Sequence, residues 1–147
     1  PKTKNLFLMK TNFFKATILT LITIFTISCS KDDDEKKAET PITKATIILK
    51  KTNGDFVPGI VVYAYDQSKW EVIGDNPTFA DGQASSDANG NAVFSNIEYT
   101  NSFNDLNNNQ NTFRFSAHYS LNGVNKTKVT AITFTKGEQK IQNVILD

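Results

Sequence analysis

Few residues in this chain have the types and spacing that chemistry demands. Cys29 is the only cysteine and His118 the only histidine. A single thiol closes no intramolecular disulfide and builds no cysteine-rich metal site. Nucleophilic catalysis needs a nucleophile, a base and an orienting group within mutual reach. Ser116 and Ser120 share a face with His118 if residues 112–121 are extended, and a small hydrolase using His118 is the chemistry such a set would support. The sequence offers no orienting partner, and a reaction has to be argued from a site, so no enzyme is expected. Asp87, Asn89 and Asn91 place three oxygen-bearing side chains around Gly90, a spacing calcium loops use. The full twelve-residue loop with its closing Glu is missing. Asp and Asn in a turn also bond to their own backbone, so these three are only weak metal candidates. Trp70, Tyr63 and Tyr65 are candidate ligand-binding residues, as a flat sugar-stacking platform. The competing use of such rings is cross-strand packing within a sheet. No cofactor is implied.

Cys29 stands at the end of an apolar run. Lys10 and Lys15 precede residues 16–27, an apolar stretch that includes Thr17, Thr20, Thr23 and Thr26. Counted from Phe13, the run spans about 22 Å as a helix, short of the roughly 30 Å hydrocarbon core of a bilayer. That length suits a signal peptide. Thr26-Ile27-Ser28-Cys29 followed by Ser30, Lys31, Asp32, Asp33, Asp34 and Glu35 resembles a bacterial lipoprotein signal with the surface-export tail of Bacteroidota lipoproteins. It departs from the general pattern at Thr26, where Leu is usual. The resemblance implies cleavage before Cys29, diacylglycerol on its sulfur and acylation of its amine. Several acyl chains hold a protein far better than one. The implied location is the outer membrane, lipid-anchored and facing outward. Residues 1–8 read as lying upstream of a start at Met9.

The rest of the composition fits export. Lys2, Lys4, Lys10 and Lys15 precede Cys29 and all 15 acidic residues follow it, so the 16 basic residues of the chain leave the exported part near −3, to the nearest charge. No basic patch calls for nucleic acid. Residues 1–28 are therefore assigned to upstream residues and signal, 29–40 to the lipidated Cys and a flexible acidic tether, and 41–147 to one folded domain.

Within residues 41–147, β-branched and aromatic residues alternate with polar ones between closely spaced Asn, Asp and Gly, the signature of an all-β sandwich. Strands are expected at 45–50, 60–66, 70–73, 83–86, 91–94, 112–121, 125–135 and 139–146. Residues 75–81 read as loop, with Pro77 breaking any ladder. Asp87-Ala88-Asn89-Gly90 is the sharpest hairpin turn. Residues 101–111, six of them Asn, read as a polar loop with little reason to pack.

Pro58-Gly59-Ile60-Val61-Val62-Tyr63-Ala64-Tyr65 resembles the second strand of transthyretin-like domains, including carboxypeptidase regulatory-like modules. Residues 85–97, Ser-Ser-Asp-Ala-Asn-Gly-Asn-Ala-Val-Phe-Ser-Asn-Ile, look like their hairpin, in which Asp-x-x-Gly precedes a strand ending in Phe. The resemblance covers roughly residues 43–147. It implies a seven-stranded antiparallel β-sandwich, transthyretin-like or Ig-like, serving as an accessory, adhesive or spacer domain. The His-Arg-His and Tyr-Arg-Gly-Ser style motifs of the hydrolases among those relatives are absent from the sequence. The function expected is a non-catalytic surface lipoprotein that binds or spaces an extracellular glycan, peptide or envelope protein. Its rival is a structural subunit of an outer-membrane assembly. The anchor has a direct test. Cys29→Ser in the native host should move the protein from the membrane fraction to the soluble fraction, and an uncleaved, membrane-retained variant would contradict the lipoprotein assignment.

Overall fold

The computed structural model describes residues 40–99, 102–103 and 109–147. Cys29 and the run Ser30, Lys31, Asp32, Asp33, Asp34 and Glu35 lie outside the described residues. Among those described are seven strands: β1 (Lys44–Lys51), β2 (Val61–Asp66), β3 (Gly82–Ser85), β4 (Asn91–Phe94), β5 (Gln110–Leu121), β6 (Val124–Thr135) and β7 (Gln139–Leu146). They form two sheets, ordered β4-β1-β7 and β3-β2-β5-β6. The larger sheet is antiparallel throughout. The smaller is mixed, because β7 runs parallel to β1 while β4 runs antiparallel to it. The expectation of two wholly antiparallel sheets is corrected there. The strand after the β6–β7 turn joins the opposite sheet, where it meets β1 rather than β6.

The alternation of residue types explains the layers, since successive strand side chains point to opposite faces. Ala45, Ile47 and Leu49 of β1, Val62 and Ala64 of β2, and Phe113, Phe115 and Ala117 of β5 are all buried. They meet Phe94, Phe134, Val144 and Leu146 in one core cluster. The sheets touch through rings: Phe94 of the smaller sheet lies edge-on to Phe115 of the larger, centroids 5.2 Å apart. Such pairs add about 0.5–1.5 kcal/mol beyond their burial.

Two elements differ from the sequence reading. Residues 70–73, expected as a strand, belong to a helix, α1 (Gln67–Ile73), followed by a 3-10 turn at Pro77–Phe79. The cause is local capping. The Asp66 carboxylate accepts from the Lys69 N–H at 2.8 Å, and Gly74 closes the helix at φ +64° with its N–H donating to Trp70 C=O. Caps at both ends outweigh the β-propensity of Trp70, Val72 and Ile73. The Asn-rich stretch also packs where it is described. Ser102 and Phe103 are buried, and the Phe103 ring sits 5.7 Å from that of Phe113. One aromatic residue outweighs a polar composition when a hydrophobic slot is open beside it.

Buried polar side chains tie the loops to the sheets. Thr43, fully buried, donates its N–H and its hydroxyl to Glu98 Oε1 at 2.9 and 2.7 Å and accepts from the Gly137 N–H. Burial alone would raise the Glu98 pKa, but the Thr43 bonds and the nearby Lys136 charge hold it below the ordinary glutamate value. Ser86 donates to Val57 C=O and accepts from the Ile60 N–H, fixing the Pro58-Gly59 turn. Outside, the smaller sheet leaves Val93, Ile141 and Ile145 exposed, with Phe56 beside Lys50.

Phe113 meets Tyr99 and Phe103 of the β4–β5 connection and Phe134 of β6. Phe113→Ala should therefore destabilise the domain by about 3–5 kcal/mol, read as a lower urea midpoint at unchanged slope.

Candidate functional site

The outer face of the larger sheet carries a place where titratable, hydroxyl and aromatic groups converge. Because Phe113, Phe115 and Ala117 face the core, Ser116 and His118 must face outward. The β2–β5 register sets Val61 opposite His118 and Tyr63 opposite Ser116, with Tyr65 two residues further along the same face. Tyr63 lies edge-on to His118, centroids 5.1 Å apart and planes at 65°. Helix α1 then crosses this face, and its Gly74 stop delivers Asp75 above it.

Asp75 is the hub. Its Oδ1 accepts from the Tyr65 hydroxyl at 3.1 Å. Its Oδ2 accepts from the Ser116 hydroxyl at 2.7 Å and lies 2.9 Å from His118 Nε2. Ser116 is fully buried, while the His118 side chain keeps 34% of its surface and that of Asp75 22%. Burial first, then the hydrogen bond to Asp75 and its negative charge, push the Tyr65 hydroxyl well above the usual tyrosine range, so it stays a proton donor.

This arrangement is not that of a nucleophilic relay. In such a relay the serine hydroxyl bonds the imidazole, and the carboxylate bonds the other ring nitrogen. Here Ser116 and His118 meet the same carboxylate oxygen, and the hydroxyl is sealed from solvent. Ser120 is exposed, two residues further along β5. What the group can do is hold a carboxylate in place and present a half-exposed imidazole and carboxylate beside rings.

The aromatic candidates are brought together, but not as a flat platform. Tyr65 is fully buried. Trp70 lies against it edge-on, centroids 5.4 Å apart and planes at 67°. Tyr63 and Trp70 are half-buried. Tyr65 is covered because the segment expected as a strand is a helix folded back over the sheet.

At the foot of that segment is a second polar group. Asp66 Oδ1 accepts from Ser68 and from the Lys69 N–H, and its Oδ2 accepts from Ser102 at 3.3 Å. Asp81 Oδ2 accepts from the Asp66 N–H at 2.8 Å, and its other oxygen pairs with the Lys69 ammonium. Asp66, Ser68, Lys69 and Asp81, with Glu98 and Tyr99, line an open cleft of about 680 Å³. Each carboxylate there is already partnered. Burial, and then the Asp81 charge, push the Tyr99 hydroxyl above the usual range.

Asp87, Asn89 and Asn91 do come together, around one another. Asp87 Oδ1 accepts from the Asn89 and Asn91 N–H groups at 2.8 and 2.9 Å, and Oδ2 from the Asn91 amide at 3.2 Å. The Asn91 N–H leads in holding the Asp87 carboxyl below its ordinary value. The turn's own bonds account for the side chains of Asp87 and Asn91, and Asn89 joins through its backbone N–H. Among the described residues there is no cluster of three or more His, Cys, Asp or Glu placed to hold a metal ion. No helix among them is long and apolar enough to cross a membrane.

Asp75 is the residue that sequence reasoning missed. The signal that could have found it was Asp66 before Gln67-Ser68-Lys69 and Gly74 seven residues beyond Gln67, a start and a stop for a short helix. Comparison with known proteins returns no matching family model, no matching curated protein and no matching solved structure.

The two shielded phenols give a measurable signature. In an ultraviolet pH titration of the folded protein, Tyr65 and Tyr99 should ionise at higher pH than a free tyrosine. Their raised folded values stabilise the neutral form. The stability they supply is therefore complete below the unfolded value of about pH 10 and is lost as pH rises beyond it. Tyr65→Phe should remove one late-titrating phenol.

Proposed function

We propose that this protein is a non-catalytic binding module displayed on the outer membrane through acylated Cys29, and that its ligand is an extracellular glycan. The observation that carries the glycan reading is the grouping over one sheet face of Tyr63 edge-on to His118, Asp75 bonded to His118, and Trp70 of α1 packed on the neighbouring Tyr65. A sugar ring has apolar C–H faces that pack on aromatic rings and a rim of hydroxyls that bond carboxylate and imidazole. Half-exposed rings beside a half-exposed Asp–His pair meet both requirements. Two sheets packed face to face through seven strands support the transthyretin-like resemblance, and the Ser28-Cys29 signal with its acidic tail supports the anchor. In this reading the membrane holds the acyl chains, residues 30–40 supply reach, and the outer face of the larger sheet makes contact.

The test is binding to an array of immobilised polysaccharides, followed by titration of the best ligand against Tyr63→Ala and Trp70→Ala. Each variant should bind roughly tenfold more weakly, the loss of about one aromatic contact. Binding to none of the polysaccharides would overturn the glycan reading. Co-purification with a neighbouring envelope protein through the exposed Val93, Ile141 and Ile145 face would instead support a structural subunit.

A further inference from the structure

The segment from residue 67 to residue 80 supplies Trp70 and Asp75 of the proposed site and covers Tyr65 and Ser116, but is scarcely built into the domain. None of the residues of α1 or of the 3-10 turn, all of them described, is buried. Val72 and Phe79 stand 83% and 56% exposed. Among the described residues, its backbone bonds outside α1 stay within the segment: Gly74 to Trp70, Asn76 to Gly74, Phe79 to Asn76 and Ala80 to Pro77. The chain returns to the sheet ladder only at Asp81, whose N–H donates to Ala64 C=O.

The two roots of the segment are buttoned together. Asp81 accepts from the Asp66 N–H and pairs with Lys69, while Asp66 caps the helix. A loop of this length with its ends held close is the geometry of an Ω-loop. Among the described residues, the hydrogen bonds and ring contacts that hold its span to the sheet are the three bonds at the Asp75 carboxylate and the Trp70 indole edge-on to Tyr65. Gly74, just before Asp75, has φ +64° and ψ −146°, a backbone region that glycine alone adopts readily, with open space around it. Beneath lie Tyr65 and Ser116, both without exposed surface.

We propose that residues 67–80 form a hinged flap, latched at Asp75, which opens as a unit while the sandwich stays folded. Opening uncovers Tyr65 and Ser116 beside Tyr63 and His118. A segment with few buried contacts opens locally at a lower free energy than the core. Releasing it leaves both sheets, their ladders and the aromatic core intact. The inference deepens the glycan-binding reading, because two of that site's residues, Trp70 and Asp75, ride on the gate itself. The gate is measured without any sugar, so it can fail while the binding reading stands, and the reverse.

The experiment is hydrogen exchange on the full chain, read by mass spectrometry, together with acrylamide quenching of the sole tryptophan, Trp70. In the wild type, amides of residues 67–80 should exchange at least about tenfold faster than those of β2 and β5. Asp75→Ala should raise exchange of the flap by a further tenfold, roughly the loss of charge-assisted hydrogen bonds, and should raise quenching of Trp70. Amides of Phe113 and Phe115 should be unchanged. Tyr65→Phe, which keeps the ring and removes one latch bond, should move the flap the same way by a smaller factor. Equal exchange of flap and strands in the wild type would overturn the proposal. So would loss of protection in flap and β5 together in both variants, or no change in the flap in either.

Discussion

The structure depends on which side of β5 faces inward. Phe113, Phe115 and Ala117 are each buried and belong to the same core cluster. A shift of one residue in register would turn all three to solvent. This strand pairs with both β2 and β6 along much of its length, so its orientation is imposed on the larger sheet. The outward placement of Ser116 and His118 is the other half of the same decision. The polar cluster needs no separate device to bring its sheet-borne members together. Only Asp75 has to arrive from elsewhere.

Buried polar groups supply that and similar connections. Thr43 fastens the start of the domain to the Glu98 loop and the turn at Gly137, and Ser86 fixes the turn before β2. Asp66 starts the helix and Ser116 receives its far end. Thr43, Ser86 and Asp66 sit where the chain leaves or rejoins a sheet, Ser116 sits within β5, and each is satisfied by hydrogen bonds. An unsatisfied group at any of these places would cost about 1–3 kcal/mol. The only cysteine of the chain is Cys29, so residues 41–147 fasten their loops with such bonds rather than with disulfides.

How much of this was legible in the sequence follows from the range of each interaction. β4 and β7 fall on the residues expected, and β1, β2, β3, β5 and β6 within one or two residues, because alternation is written locally. The hairpin turn at Asp87 to Gly90 is equally local. Residues 70–73 were misread because their β-branched and aromatic content was weighed without the caps at Asp66 and Gly74. The error hid the cover over Tyr65 and with it the position of Asp75. Phe103 was lost among asparagines, since its burial depends on Phe113, a partner that is remote only until the sheet forms. The parallel pairing of β7 with β1 was invisible for the same reason: strand sequence does not state direction.

That parallel pairing has a mechanical consequence. β1 and β7 are joined over eight residue pairs in continuous register, from Lys44 opposite Gln139 to Lys51 opposite Leu146. The chain comes into β1 at one end of this ladder and leaves β7 at the other. A pull between residue 40 and residue 147 therefore acts along the two strands in opposite senses. It loads the inter-strand bonds in shear, all at once, and cannot peel them apart one after another. Shear along its strands is the direction in which a sheet is strongest.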